Sequence, residues 1–460
     1  MSERLTPPAP PASPASEVLA RAVAATEWAS APGAVRTKVL ELVTDSLAVI
    51  AGGAAHDTMT RLRQATASTP GPATAIACRD GVDTMSAVLL NGAAITVLQR
   101  QDGYAHAKGH PASQLLPPLL AVAERRGLSG EQLLTAFVGG YEVAARVGVA
   151  LGGVPEHLHD IGNWVTIGVS AATASLLSDR DERTIAAAID GASSLALSFD
   201  RFTTAAGATM HHLYPASAGL VALNVAQGAV AGLSALPGSL ERFYGPHLGK
   251  ELRTDRLTEG IDAAGRFDRY EVLDGYLKLH PSCAHLHGVN DAVAALLART
   301  ALREDDVESV DVGIFGDGFR IDASDPQNDL AARFSVGATV AAAIVHGRLD
   351  DDGLADLEPL RPLMARITVR HDPAMDDLAP EGRPGRVTVR LRDGRTLVEE
   401  VVHPRGTPRV PATEDDRMAK VLDLLGRCYD DRATERIIDA VVALPDAVTL
   451  GDLTASLRNS

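Results

Sequence analysis

The period of the hydrophobic pattern changes once along the chain, near residue 265, and this change separates two kinds of structure. Before it, apolar residues recur every three or four positions, as in VRTKVLELVTDSLAVI (35–50), which predicts amphipathic helices. After it, β-branched residues alternate with polar ones in VESVDVGIF (307–315) and GRVTVRLRDGRTLVEEVVH (385–403), which predicts strands. We therefore expect a mainly α protein with an inserted α+β domain.

Other segments follow the same division. The Asp393–Gly394 pair in RDGR lies between two alternating runs, which predicts a two-residue hairpin turn. ARITVRHD (365–372) is a further predicted strand. The helical pattern recurs in residues 182–197, 217–233, 287–302 and 329–346, and from about 412 onward.

These boundaries predict four parts of the chain. Residues 1–16 are rich in proline, alanine and serine and are expected to form a disordered tail. We assign 17–261 to a large all-helical domain, 262–403 to the smaller α+β domain and 404–460 to a return to the helices. Because 460 residues exceed the usual size of one core, we expect a ligand site in the cleft between two domains.

Composition excludes several classes of partner. The net charge is −16 without any block of Lys or Arg, which argues against nucleic acid and anionic membranes. Cys78, Cys283 and Cys428 show no CxxC or zinc spacing. The N-terminus lacks the apolar core of a signal peptide, and no uncharged apolar run reaches the roughly 18 residues of a membrane span. We therefore expect a cytoplasmic protein.

The segment QDGYAHAKGHPASQLLP (101–117) gathers polar groups that a core does not need: Asp102, Tyr104, His106, Lys108 and His110. Two histidines four residues apart on a helix could bind a metal. Pro111, however, disfavours a helical conformation at His110. An acid/base or anion-binding loop is our first interpretation, and a metal site and a solvated loop remain alternatives.

Three later segments also concentrate histidines, and a structural role is the alternative for each. In EHLHDIGNW (156–164), His157 and His159 alternate, so we expect one to be exposed and the other to point into a cleft. GATMHHLYPASAG (207–219) carries His211, His212 and Tyr214 before a small-residue helix. YLKLHPSCAHLHGVNDA (276–292) carries Lys278, His280, Cys283, His285 and His287. Because Lys278 would repel a metal ion, we favour an anion site there.

Taken in order, these segments resemble the MmgE/PrpD family, which includes 2-methylcitrate dehydratase, cis-aconitate decarboxylase and iminodisuccinate epimerase. DLAARFSVGATVAAAIVHG (329–347) and HPRGTPRVPAT (403–413) extend the resemblance to about residues 35–430. The resemblance implies a helical domain with an inserted α+β lid domain, a homodimer, and chemistry without metal or cofactor on small di- or tricarboxylates. Known activities of the family are water elimination, decarboxylation and epimerisation.

The resemblance also assigns site residues. His110, Asp102, His159 and Lys278 match the family's active-site positions, and His287 matches one less closely. Other positions depart from the decarboxylase and methylcitrate branches: an Asp is replaced by Arg100, a Thr by Tyr104, a Lys by His211, a His by Cys283 and a Tyr by Ala338. The chain therefore resembles another branch of the family, and whether these changes alter or abolish the chemistry stays open.

Removing a proton beside a carboxylate requires a base and a positive charge near that carboxylate. We assign catalytic roles to His110 and His159 as base and acid, to Asp102, which could fix the tautomer of an imidazole, and to Lys278. If protonated, His211 could join Lys278 and Arg100 as a cation. The predicted substrate-binding residues are Arg100, Tyr104, His106, Lys108, His211, His212, Cys283 and His287.

The predicted function is a metal- and cofactor-independent lyase for a small di- or tricarboxylate, by dehydration or decarboxylation. An epimerase of an iminodisuccinate-like acid is an alternative that needs two opposed acid/base groups. A metal-dependent hydrolase could instead use His106, His110, His159 and His285. A catalytically inactive member of the family is the last alternative, and the identity of the acid stays open.

Overall fold

The computed structural model describes residue 11 and residues 13–458, and its helices lie mostly in the first 258 residues and at the C-terminus. The first group consists of α1 Ala15–Ala24, α2 Gly33–Ala54, α3 Asp57–Ala65, α4 Thr84–Val97, α5 Pro111–Arg126, α6 Gly130–Leu151, α7 Trp164–Leu177, α8 Glu182–Leu195, α9 Leu213–Val230, α10 Gly245–His247 and α11 Thr254–Thr258. The later helices are α12 His287–Arg299, α13 Gly316–Ile321, α14 Asp329–Ala332, α15 Val336–His346, α16 Arg361–Met364, α17 Glu414–Leu425, α18 Asp431–Val442 and α19 Gly451–Ser456.

Strands form one four-stranded sheet and smaller pairings. In chain order they are β1 Pro70–Ala73, β2 Gly103–Tyr104, β3 Leu158–His159, β4 Phe199–Asp200, β5 Gly275–Tyr276, β6 Val307–Ile314, β7 Ile367–His371, β8 Gly385–Leu391 and β9 Thr396–Val401. The large sheet has the order β7-β6-β8-β9, with β6 and β7 parallel and the other neighbours antiparallel. The hairpin predicted at RDGR is confirmed, since β8 and β9 pair on either side of it, but the predicted two-residue turn is wrong. Arg390 lies opposite Thr396 and the N–H of Leu391 donates to the carbonyl of Arg395, which leaves residues 392–394 in the connection.

Small side chains let the central helices approach closely. Helices α6 and α7 meet at Gly140 and Gly168, where a Cβ on Gly168 would lie 2.3 Å from the Gly140 carbonyl oxygen. A Cβ on Gly140 would lie 2.6 Å from that of Ala172. This packing explains why the sequence uses so few aromatic residues. Helix α6 is long and apolar enough to span a membrane, but 94% of its most apolar 18-residue stretch is buried inside the protein.

Buried side chains form two hydrophobic cores, as the mainly α fold with an α+β domain predicts. The first core draws on the helices up to α9, continues to Leu277, and is completed from Val421 onward by the C-terminal helices. The second core begins at Cys283 and fills the space between the four-stranded sheet and helices α12 and α15. The boundaries at 261/262 and 403/404 themselves stay predictions.

The prediction of a disordered tail over residues 1–16 is wrong for its last two residues, which are helical. Helix α1 begins at Ala15, and both Ala15 and Ser16 are buried. The Ser16 hydroxyl donates to Asp190 at 2.8 Å, which fastens this helix to α8. The rest of the expected tail, residues 1–10 and 12, lies outside the described residues.

Candidate active site

A cavity of about 100 Å³ lies between the two cores, where the sequence predicted a cleft. Its first wall comes from the loops before α5 and α7, and its second wall from residues 276–285 and the α+β domain. The antiparallel pairing of β2 with β5 joins the loop of residues 101–110 to the segment that carries Lys278. The polar side chains that line the cavity include His110, His159, Asp160, Arg201, Lys278, Cys283, His285 and Arg383.

His110 occupies the cap position of α5, with Pro111 as the first helical residue. The loop before it is held by reciprocal backbone hydrogen bonds between Tyr104 and Gly109, of 2.7 and 3.1 Å. A side chain at Gly109 would collide with the Trp164 ring, 2.2 Å from the expected Cβ. The loop is therefore fixed against the buried start of α7, and the imidazole of His110 is directed into the cavity.

Asp102 orients His110 through its backbone carbonyl, whereas the sequence predicted that its carboxylate would do so. Its carboxylate accepts hydrogen bonds from the backbone N–H groups of Ala112 and Ser113, at 3.0 and 2.9 Å, and so caps α5. Its backbone carbonyl, 2.5 Å from Nδ1 of His110, is what orients the imidazole. Asp102 lies outside the cavity lining, so the structure supports a positioning role through its backbone.

The tautomer of His110 follows from this contact, because a carbonyl oxygen can only accept. Nδ1 carries the proton, and Nε2 presents its lone pair 3.8 Å from a carboxylate oxygen of Asp160. Burial, and then the charge of Lys278, lower the pKa of His110 to about 3. Because the imidazole is neutral at physiological pH, His110 is available as a base.

His159 has the opposite tautomer. The backbone N–H of Ile161 donates to its Nδ1 at 3.1 Å, so the proton lies on Nε2. Burial, followed by the charges of Arg201 and Lys278, lowers its pKa to about 3. A neutral imidazole donates a hydrogen bond to a substrate oxygen but does not transfer its proton. The structure therefore supports a hydrogen-bond donor role for His159 in place of the predicted acid role. The expectation that one histidine of this pair is exposed is confirmed at His157.

Lys278 supplies a buried positive charge. Its side chain is 1% exposed, and its ammonium donates to the carbonyl oxygen of Gln99 at 3.3 Å. Burial lowers its pKa to about 8, so the group is mostly protonated at neutral pH. No carboxylate lies within 4 Å of this ammonium among residues 11 and 13–458, which leaves it available to an anionic ligand.

Three residues predicted to bind substrate lie elsewhere. Arg100 is buried in ion pairs with Asp351 and Asp423, at 3.0 and 2.5 Å. The Tyr104 hydroxyl donates to the buried carboxylate of Glu271. Nε2 of His106 lies 3.6 Å from a carboxylate oxygen of Asp274, outside the cavity. Each side chain thus has a partner that the sequence pattern does not reveal, and the expectation that they bind substrate is corrected.

The other histidines of the predicted site lie behind the cavity wall. The His211 ring packs 4.9 Å from that of His159, and burial holds its pKa well below the usual value. It is therefore neutral, and the suggestion that it supplies a positive charge is corrected. His212 and His287 are buried without lining the cavity. None of the three lines the cavity.

Lys108 and Cys283 do line the cavity, as predicted. Lys108 pairs with Asp317 of the α+β domain at 2.5 Å, so it spans the gap between the two walls. Burial raises the pKa of the Cys283 thiol, which keeps it protonated and makes it a poor nucleophile. Their roles in binding stay predictions.

Asp160, Arg201 and Arg383 line the cavity but were not predicted as site residues. Asp160 is adjacent to His159, and burial raises its pKa. Arg201 follows β4, which pairs with β3 and so brings it to the His159 wall. Arg383 precedes β8. Asp160 is the one that the segment EHLHDIGNW could have indicated, because it directly follows His159, whereas the two arginines lie in segments without any motif.

The histidines of the metal alternative do not converge. His110, His159 and His285 line the cavity, whereas His106 lies outside it. Across the described part of the chain, no group of three or more His, Cys, Asp or Glu side chains is arranged to hold a metal ion. The geometry therefore gives no support to a histidine-bound metal centre.

Comparison with known proteins agrees with this arrangement. Residues 17–246 match the MmgE/PrpD N-terminal domain, and residues 280–445 match the MmgE/PrpD C-terminal domain. A cis-aconitate decarboxylase-like protein of Aspergillus oryzae is 24% identical, with 80% of this chain and 81% of that protein covered. The cis-aconitate decarboxylase of Aspergillus terreus is 25% identical, with 94% of each covered. The chain belongs to the MmgE/PrpD family, whose members include lyases such as cis-aconitate decarboxylase.

Proposed function

We propose that the protein is a lyase that eliminates water from a small di- or tricarboxylate by removing a proton beside a carboxylate. The observation that carries this proposal is the meeting of a neutral imidazole, His110, with a buried ammonium, Lys278, in one cavity. The cavity is small compared with the roughly 300–1,000 Å³ of sites for drug-sized ligands, which suits a small acid.

The step requires charge stabilisation as well as a base. When Nε2 of His110 takes a proton from the carbon, the electron pair moves toward the adjacent carboxylate. The Lys278 ammonium stabilises this added negative charge, and the effect is strong because the site is buried. The leaving hydroxyl accepts a hydrogen bond from Nε2–H of His159 and departs as water with a proton from Lys278, whose pKa of about 8 suits an acid near neutrality.

Decarboxylation, the activity named for the relatives, is the second form of the same proposal. It breaks a carbon–carbon bond without a base and then needs an acid to protonate the carbanion. The free Nε2 of neutral His110 suits proton abstraction, a step that dehydration needs and decarboxylation does not. Epimerisation would need a proton donor on the opposite face of the carbon, a role that Lys278 could fill.

The test is a panel of citrate-, aconitate-, malate- and aspartate-like acids incubated with the protein in heavy water and followed by proton NMR. New alkene signals would support dehydration, and loss of a carboxylate would move the assignment to decarboxylation. Deuterium incorporation at one carbon without a new product would move it to epimerisation. A panel without reaction or exchange would contradict the proposal and favour a catalytically inactive protein.

The dependence of the rate on pH follows from the two pKa values. Lys278 is charged below its pKa of about 8 and neutral above it, so kcat/KM should fall as the pH rises through 8. His110 becomes protonated only near 3, so no loss is expected on the acid side down to about pH 5. A profile of kcat/KM against pH checks this, and an acid limb near 6.5, the ordinary histidine value, would contradict it.

We also propose that the protein forms the homodimer that its resemblance to the family implies. Leu195, Leu233, Leu236 and Phe243 line one apolar groove beside α8 and α9 and are 39–71% exposed. Exposed apolar patches of this kind often mark contacts between subunits. Sedimentation velocity should give the mass of two chains and, for Leu233→Asp, the mass of one. A monomeric wild-type protein would contradict this proposal.

A further inference from the structure

Arg383 is a buried cation without an anionic partner. Its residue is 7% exposed and lines the cavity, and its guanidinium carbon lies 4.4 Å from the centre of the Tyr276 ring. Within the described residues, no carboxylate lies within 4 Å of this guanidinium. Because a buried charge is costly unless it is paired, its position at the cavity indicates a negatively charged ligand.

Arg201 lines the same cavity from the first wall. It is partly buried, and in the described part of the chain its guanidinium likewise has no carboxylate within 4 Å. Arg201 follows β4, which pairs with β3 beside His159, whereas Arg383 precedes β8 of the four-stranded sheet. A ligand that bound both would therefore join the two walls of the cavity.

The two side chains on which both arginines act, His285 and Cys283, carry no negative charge that would neutralise the guanidinium groups. Burial, and then the charges of Arg383 and Arg201 among others, hold the pKa of His285 well below its ordinary value, so this imidazole is neutral. The Cys283 thiol stays protonated because burial raises its pKa. The carboxylate that acts on His285, that of Asp317, is already paired with Lys108 and Arg320, so it does not neutralise the two arginines.

Lys278 is the third positive group that lines this cavity. Its charge lowers the pKa of both His110 and His159, which shows that the ammonium lies close to the two imidazoles. Lys278 also acts on Cys283, together with Arg383 and Arg201, and Arg201 also acts on His159, so the three positive groups lie around one cavity. The cavity is therefore lined by three positive groups that have no carboxylate within 4 Å among the described residues, which is more positive charge than one carboxylate neutralises.

We propose that Arg201 and Arg383 form a subsite for a second carboxylate, distinct from the carboxylate that Lys278 faces beside the reacting carbon. This inference rests on the proposed function and assigns the residues that bind the second carboxylate of its substrate. Guanidinium groups suit this task because their fork of N–H donors matches the two oxygens of a carboxylate. Arg201 and Arg383 thus hold the substrate, while His110 and Lys278 act on it.

Binding of succinate and butyrate tests the subsite without requiring turnover, because the two acids have the same chain length and differ by one carboxylate. Isothermal titration should show that wild-type protein prefers succinate. Arg383→Gln should weaken succinate binding about 10- to 100-fold, as loss of charge-assisted hydrogen bonds implies, and leave butyrate binding nearly unchanged. Arg201→Gln should act in the same direction, and Arg383→Lys should restore only part of the affinity.

Arg386→Gln is the matched control, because Arg386 lies three residues away, is exposed, and pairs with Glu400 on the neighbouring strand. It should bind both acids like the wild type. Equal binding of the two acids by wild-type protein, or an equal loss of both in Arg383→Gln with an unchanged circular dichroism spectrum, would overturn the subsite. If Arg383→Gln does not fold, the binding of succinate and butyrate by Arg201→Gln and Arg383→Lys tests the subsite in its place.

The outcomes also separate this inference from the proposed function. Arginine-dependent preference for succinate in a protein that neither converts nor exchanges any acid of the panel would support the subsite and contradict the lyase. Turnover of a monocarboxylate would support the lyase and contradict the subsite.

Discussion

Replacing His110 with asparagine is expected to lower kcat on the substrate found with the acid panel by about 10²- to 10⁴-fold, the usual contribution of a general base. Asparagine keeps a donor near the carbonyl of Asp102 but offers no basic nitrogen to the cavity. Deuterium exchange at the reacting carbon should fall by a similar factor, because exchange and turnover share the proton abstraction. Proton NMR in heavy water measures both rates in one sample.

His157→Asn is the matched control for this experiment. His157 is an exposed histidine only two residues before His159, so its replacement tests whether any histidine change near the cavity slows the reaction. Its rate should stay close to that of the wild type. Binding of succinate by His110→Asn should also persist, since Lys278 and the arginines remain. If His110→Asn keeps its full rate of exchange, His110 is not the base.

The fold was predictable because its signals are local. Helical and alternating periodicities depend on neighbours within one or two turns, and they indicated helices such as α8 and the hairpin of β8 and β9. The return of the C-terminal helices to the first core could be expected from their pattern. The meeting of β2 with β5 could not, because it joins residues about 170 positions apart and involves only two residues in each strand.

The candidate site was predictable only where a motif marked it. His110, His159 and Lys278 lie in segments with several polar groups among small residues, and the resemblance to a family pointed to the same positions. Arg201 begins a short 3-10 helix and Arg383 lies in the segment before β8, neither of which carries a motif, and only folding brings them to the cavity. Arg100 illustrates the opposite case, since its nearest carboxylates, Asp351 and Asp423, are more than 250 residues away.

These distant carboxylates also hold the two cores together. Asp351 is 3% exposed, and one of its carboxylate oxygens lies 3.0 Å from both Arg100 and Arg427. Its other oxygen lies 2.5 Å from Arg333, which is 2% exposed. Arg100 and Arg427 also contact Asp423. Arg333, by contrast, has no other carboxylate within 4 Å in the part of the chain that the structure describes, and depends on Asp351 for its charge balance.

Asp351→Asn is therefore expected to lower the free energy of unfolding by about 3–5 kcal/mol, the usual effect of removing one partner of a buried ion pair. Asparagine preserves the shape of the side chain but removes the negative charge that Arg333 needs. Guanidinium chloride unfolding followed by circular dichroism measures the change. Asp311→Asn is the control, because Asp311 also lies between two arginines, both of them exposed, and surface ion pairs contribute about 0–1 kcal/mol. Similar values for the two variants would show that Asp351 does not hold the cores together.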